Sequence, residues 1–96
     1  MTQHPDASPP ATTRMTADTD GVSRVFTWED GAEIVVRAFP GEVVIAANAA
    51  GLRTLAGHLL VLAEDGTPDG SHLHLEDNNG LREGSVGLVL EREDER

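Results

Sequence analysis

Only one stretch of this chain, residues 48–65, carries apolar residues at helical spacing, and everything around it breaks into short β-forming runs separated by turn residues. One helix among several strands is therefore the expected content. Within that stretch Asn48 can cap the first free N–H groups, while Leu52, Leu55, Ala56, Leu59, Leu60, Leu62 and Ala63 fall within one arc. This arc is the expected core face. The opposite side shows Arg53, Thr54, Gly57, His58 and Glu64, so His58 reads as a solvated helix residue. Gly66 suits the left-handed position after the helix and Pro68 prevents its continuation.

Before the helix, residues 22–28 are rich in β-formers, Asp30-Gly31 offers a two-residue hairpin turn, and 32–39 returns as a second strand. Pro40-Gly41 then suits a type II turn into a third strand, 42–47. If those turns carry one register across all three strands, Val25, Thr27, Ile34, Val36, Ala38, Val43 and Ile45 share a face, the better core candidate. The other face then holds Arg24, Phe26, Trp28, Val35, Arg37, Phe39 and Val44. An alternative is that the register is off by one and the aromatics complete the core.

Beyond the helix, 71–76 alternates, with Leu73 and Leu75 on one side and His72, His74 and Glu76 on the other. A loop through Asn78, Asn79 and Gly80 leads to a last strand near 85–92, where Val86, Leu88 and Leu90 alternate toward the core. The expected fold is α+β: a mainly antiparallel sheet of about five strands in the order βββαββ, with one amphipathic helix packed on one face. Residues 1–20, rich in Pro, Thr and Asp, read as a disordered N-terminal tail, 21–92 as a single domain, and 93–96 as a frayed acidic end. Met15 is an alternative start.

A folded part of roughly 75 residues buries only about 60–65% of the surface its unfolded chain exposes, so partner burial or homodimerisation would help to stabilise it. The absence of cysteine removes disulfides and thiolate chemistry. No apolar run approaches the ~20 residues of a membrane span, and no secretory signal pattern opens the chain, which reads as cytoplasmic. Seventeen acidic residues against seven arginines and no lysine give a formal net charge of -10. Such a surface repels nucleic acid and either steers the chain toward a basic protein partner or serves solubility alone.

Several chemistries can be weighed on the 70–85 stretch. His72 and His74 on one strand face could present imidazoles to zinc, with Glu76, Asp77 or His58 as a third ligand, but a lone His-x-His is a weak signal. Ser71 or Ser85 with a histidine and Asp77 would supply the types needed for hydrolysis, yet no strained nucleophile turn is present. Neither a cofactor nor catalysis is expected. Recognition suits the residue types better: Arg24, Phe26, Trp28, Arg37, His72, His74 and Glu76 are the candidate partner-binding residues, because aromatic and arginine side chains dominate interface hot spots.

The run 48–65, followed by Pro68-Asp69-Gly70-Ser71-His72-Leu73-His74-Leu75 and then by Gly80-Leu81 and Gly84-Ser85, resembles the immunity protein 32 family of bacterial polymorphic toxin systems. The likeness extends over roughly residues 22–92. It implies a protein that is encoded beside a toxin and protects the producing cell by binding and blocking that toxin without catalysis. It carries over no binding residues. The charge adds a nuclease as the candidate toxin class, since a nuclease presents a basic cleft. A His-containing metal or small-ligand protein and a homodimeric interaction module are the alternatives.

Overall fold

The computed structural model describes residues 21–94 and, for the backbone alone, 11–17. Among the described residues seven strands and one helix follow one another: β1 (Ala11–Ala17), β2 (Ser23–Glu29), β3 (Ile34–Phe39), β4 (Glu42–Ala47), α1 (Ala49–Leu62), β5 (His72–Asp77), β6 (Gly80–Leu81) and β7 (Leu88–Glu91). The class is α+β, as the patterning predicts. Among the described residues no helix is long and apolar enough to cross a membrane.

The strands form three separate sheets rather than one continuous sheet. β1 pairs antiparallel with β2, β3 antiparallel with β4, and β5 lies between β6, which is parallel to it, and β7, which is antiparallel. Residues 82–86 link two of these sheets by running along the free edge of β3. There Arg82 N–H donates to the Ile34 carbonyl (2.8 Å), Val86 N–H donates to that of Val36 (3.0 Å), and the Val36 N–H donates to Ser85 Oγ (3.1 Å). The disordered tail expected over 1–20 falls largely on residues 1–10 and 18–20, outside the described residues. Between them, Ala11–Ala17 is a strand on the edge of β2.

Pro40-Gly41 forms the turn its residues predict: Gly41 has φ 82° and the strands meet at the Phe39–Glu42 pair. The resulting register sets Val36 opposite Ile45 and Ala38 opposite Val43, so the β3–β4 face is the expected one. Burial reaches only its proximal part. Ile34 and Val36 are enclosed, whereas Ala38, Val43 and Ile45 are exposed.

Asp30-Gly31 makes a turn, with Ala32 N–H donating to the Glu29 carbonyl, but it does not make a hairpin. The donors that would join β2 to β3 go to the helix instead. Glu29 N–H donates to Thr54 Oγ1 (2.9 Å) and Glu33 N–H to Asn48 Oδ1 (3.1 Å), while Asn48 Nδ2 donates to the Gly31 carbonyl (2.9 Å). Because no ladder carries parity from β3 to β2, the expected register across this turn is corrected. Phe26 (1% exposed) and Trp28 (9%) point into the core, and Val25 and Thr27 point out.

Asn48 caps α1 as expected, its Oδ1 accepting from Gly51 N–H at 2.8 Å. The helix ends at Leu62, three residues before the expected limit, and its last carbonyls find a remote donor: Arg92 Nη1 donates to the oxygens of Leu62 (3.2 Å) and Glu64 (2.9 Å). A cation at this end also complements the helix dipole. The expected core face of the helix needs a second correction. Its buried residues are Gly51, Thr54, His58 and Leu62, whereas Leu52, Ala56, Leu59, Leu60 and Ala63 are exposed.

Close backbone approach explains this rotation. A Cβ at position 51 would run into the Glu33 carbonyl and crowd Ala47 and Ile34, so the glycine side of α1 is the one that can lie against the start of β3. One turn further on, Thr54 meets the end of β2, and His58, fully buried, sits edge-on to Trp28 (ring centroids 4.6 Å apart) and Phe26 (5.4 Å). The core therefore gathers Phe26, Trp28, Ile34, Val36, Leu62, Leu73, Leu75 and Leu81 around an imidazole. Gly80 completes it on the far side. Its φ of 101° disfavours any other residue, and a Cβ there would fall 2.5 Å from the Trp28 ring.

Truncation experiments separate buried from exposed aromatics. Trp28→Ala is expected to cost about 3–5 kcal/mol, the range for large aromatic deletions, and Phe39→Ala, half exposed at the hairpin tip, less than ~0.5 kcal/mol. Urea unfolding followed by circular dichroism measures both. Equal losses at the two positions would place Trp28 outside the core.

Candidate interaction surfaces

The β5–β7 ladder presents the first candidate surface. Leu73 and Leu75 are buried beneath it, and His72, His74 and Glu76 alternate outward as predicted. Register sets Glu91 opposite His72 and Val89 opposite His74, so the outer face combines two imidazoles with carboxylates and one exposed valine. The two rings meet edge to face at 5.0 Å. His72 Nδ1 lies 3.0 Å from the Gly70 carbonyl, an oxygen that only accepts, so the ring donates from that nitrogen.

Metal chemistry gains no third ligand here. Among the described residues no group of three or more His, Cys, Asp or Glu side chains is placed to hold an ion. His58, one of the three considered for that role, is in the core against Trp28 and Phe26.

The seven residues expected to meet a partner do not share one face. His72, His74 and Glu76 stay together on β5. Phe26 and Trp28 are corrected from an open face to the core, for the parity reason given above. Arg24, half buried at the start of β2, donates to the carbonyls of Val22 (3.2 Å) and Gly66 (3.4 Å). Arg37 is exposed on β3, on the side opposite Val36.

The second surface lies where the patterning placed the core. Leu52, Leu59 and Leu60 are 53%, 49% and 69% exposed, and with Ala56 and Ala63 they make an apolar stripe along α1. Beside the end of the stripe runs a shallow groove of about 340 Å³ lined by Leu59, Leu62, Ala63, Glu91, Arg92 and Asp94. The sequence carried a signal for this surface: Gly51, Thr54, His58 and Leu62 also recur at helical spacing, a second stripe that competes with the leucines for the core.

Electrostatics differ between the two ends of α1. Near its start, Arg53 Nε and Nη2 clasp the two carboxylate oxygens of Glu29 at 2.7 and 2.8 Å, fastening the helix to the end of β2. That hydrogen bonding, opposed by desolvation and helped by a smaller charge attraction to Arg53, holds the Glu29 carboxyl below its ordinary value. Near the other end, Glu64 and Asp65 follow the helix, Glu91 and Asp94 line the groove, and Asp69 accepts a hydrogen bond from the Asp94 N–H.

Taken together, the described part of the chain is an α+β fold that carries a shallow groove and an exposed apolar stripe. The family model for immunity protein 32 matches residues 42–93, more than half of the chain, and the protein belongs to that family. The match begins at β4, so β2 and β3, which the resemblance was expected to include, fall outside it. Neither curated proteins nor solved structures gave a match.

The Glu29–Arg53 pair has a defined pH signature. A carboxyl depressed in the folded state contributes stability that is present above its unfolded value, near 4.5, and is lost as pH falls through the folded value. NMR titration of the Glu29 side-chain carbon should therefore give a midpoint below 4.5, returning toward that value in Arg53→Met. A midpoint indifferent to the Arg53 substitution would show that the pair does not form in solution.

Proposed function

We propose that this protein is a non-catalytic immunity protein that binds a cognate toxin in the cytoplasm of the producing cell and neutralises it by occlusion. The observation that carries this reading is the family match across β4, α1 and β5–β7, the part of the molecule that bears both the leucine stripe and the histidine face. The surface chemistry is compatible with it. The groove is shallow, and the exposed side chains are those of a contact surface, aliphatic in one place and acidic in another.

A formal net charge of -10 supports a basic toxin, and a nuclease is the class whose substrate demands such a surface. An acidic inhibitor approaching a basic cleft associates faster than its shape alone would allow, because the long-range field orients the encounter. Binding would then exclude the nucleic acid by covering the cations that hold it.

The toxin expected by this reading is the C-terminal domain of a large secreted protein encoded next to this gene. Co-expression should restore growth to cells making that domain, and the two chains should co-purify. Their association rate should fall at least ~10-fold as salt shortens the Debye length toward ~3 Å. A domain that kills equally well with and without this protein would overturn the immunity reading, and a salt-insensitive rate would overturn the steering by charge.

A further inference from the structure

We infer that the leucine stripe of α1 and the groove at its C-terminal end form the toxin-docking surface, and that the docked segment carries an apolar anchor flanked by arginine or lysine. This rests on the immunity reading and adds the place and chemistry of contact.

The fold does not use the stripe. Helix α1 is anchored through Gly51, Thr54, His58 and Leu62, together with the Arg53–Glu29 clasp and the Arg92 cap, so Leu52, Leu59 and Leu60 are left facing solvent. Leucines on the outer face of a fully anchored helix are a contiguous apolar surface of the kind that marks an interaction site. Alanines at 56 and 63 keep the surface between them low, so that a partner's side chain can lie between the leucines.

Charge at the groove selects the partner. Asp94 lines it, Glu91 reaches its rim from the outer face of β7, and Glu64 and Asp65 stand exposed at the adjoining helix end. Arg92 is turned to the Leu62 and Glu64 carbonyls and to Asp94, with its side chain only 25% exposed, so its charge is directed into the fold. An apolar stripe ending in carboxylates complements a segment that is apolar and then cationic. It opposes a second copy of this chain, which would bring the same carboxylates and another net charge of -10.

The test measures binding of a catalytically inactivated form of the neighbouring toxin domain by calorimetry. Leu59→Ser/Leu60→Ser should weaken binding about 100-fold and Glu64→Lys about 10-fold, the latter with a shallower dependence on salt. Unfolding midpoints check that each variant is folded, and Leu60→Ser alone, at the most exposed of the three leucines, serves if the double variant is not. Unchanged affinity in folded variants while the wild type binds would overturn the docking surface and leave the immunity reading standing. Loss of binding confined to His72→Ala/His74→Ala would do the same, moving the contact to β5. A wild-type dimer that Leu60→Ser dissociates in sedimentation would make a second copy the occupant and overturn it too. Failure of the wild-type chain to bind the domain would overturn both inferences.

Discussion

The side chain of Asn48 joins three parts of the molecule: the helix start, the start of β3 and the turn before it. Its Oδ1 accepts from Gly51 N–H, which starts the helix, and from Glu33 N–H, which starts β3; its Nδ2 donates to the Gly31 carbonyl in the preceding turn. The Asn48 N–H in turn donates to the Glu33 carbonyl. A cap that would ordinarily satisfy one orphan donor thus also fixes the corner between β2 and β3. With the corner held, β2 is free to follow the helix rather than β3, and Thr54 takes the donor at its end.

From that corner follows the composition of the core. Gly51 lets α1 come close to the start of β3 with the side that bears Thr54 and His58 turned to β2, and His58 enters between Phe26 and Trp28, where a larger hydrophobic residue would ordinarily be expected. Imidazole edges can pack against indole and phenyl faces, so the aromatic cluster is continuous through a polar residue. Leu52, Leu59 and Leu60 then lie on the outside of the helix, while Leu62 stays in the core and Leu55 packs against it.

The functional consequence is a division of labour within one short helix. One side and both ends hold the domain together, through Thr54, His58, Asn48 and Arg92, and the other side is left free of structural duty. A protein that works by covering another surface needs such a face to be apolar enough to bind and rigid enough to lose little entropy on binding. Anchoring both termini of α1 supplies the rigidity. On the proposed reading, the acidic residues around the helix end would supply long-range attraction to a basic partner, which acts before contact and costs no burial.

Local chemistry determined much of this fold. Asn48 as a cap, Gly66 beyond the helix, Pro40-Gly41 as a turn, and the alternation of His72, Leu73, His74 and Leu75 were legible because each depends on neighbours within a few residues. So was the resemblance to the immunity protein 32 family, which is carried by the same local patterns and matches from β4 onward. The parity of Phe26 and Trp28 and the rotation of α1 were decided only in the tertiary structure. Both depended on contacts between residues far apart in the chain: Glu29 with Thr54, Gly31 with Asn48, position 51 with Glu33. Periodicity shows that a helix has an apolar stripe, but where two stripes compete, the closeness of backbone approach at a glycine chooses which one is buried.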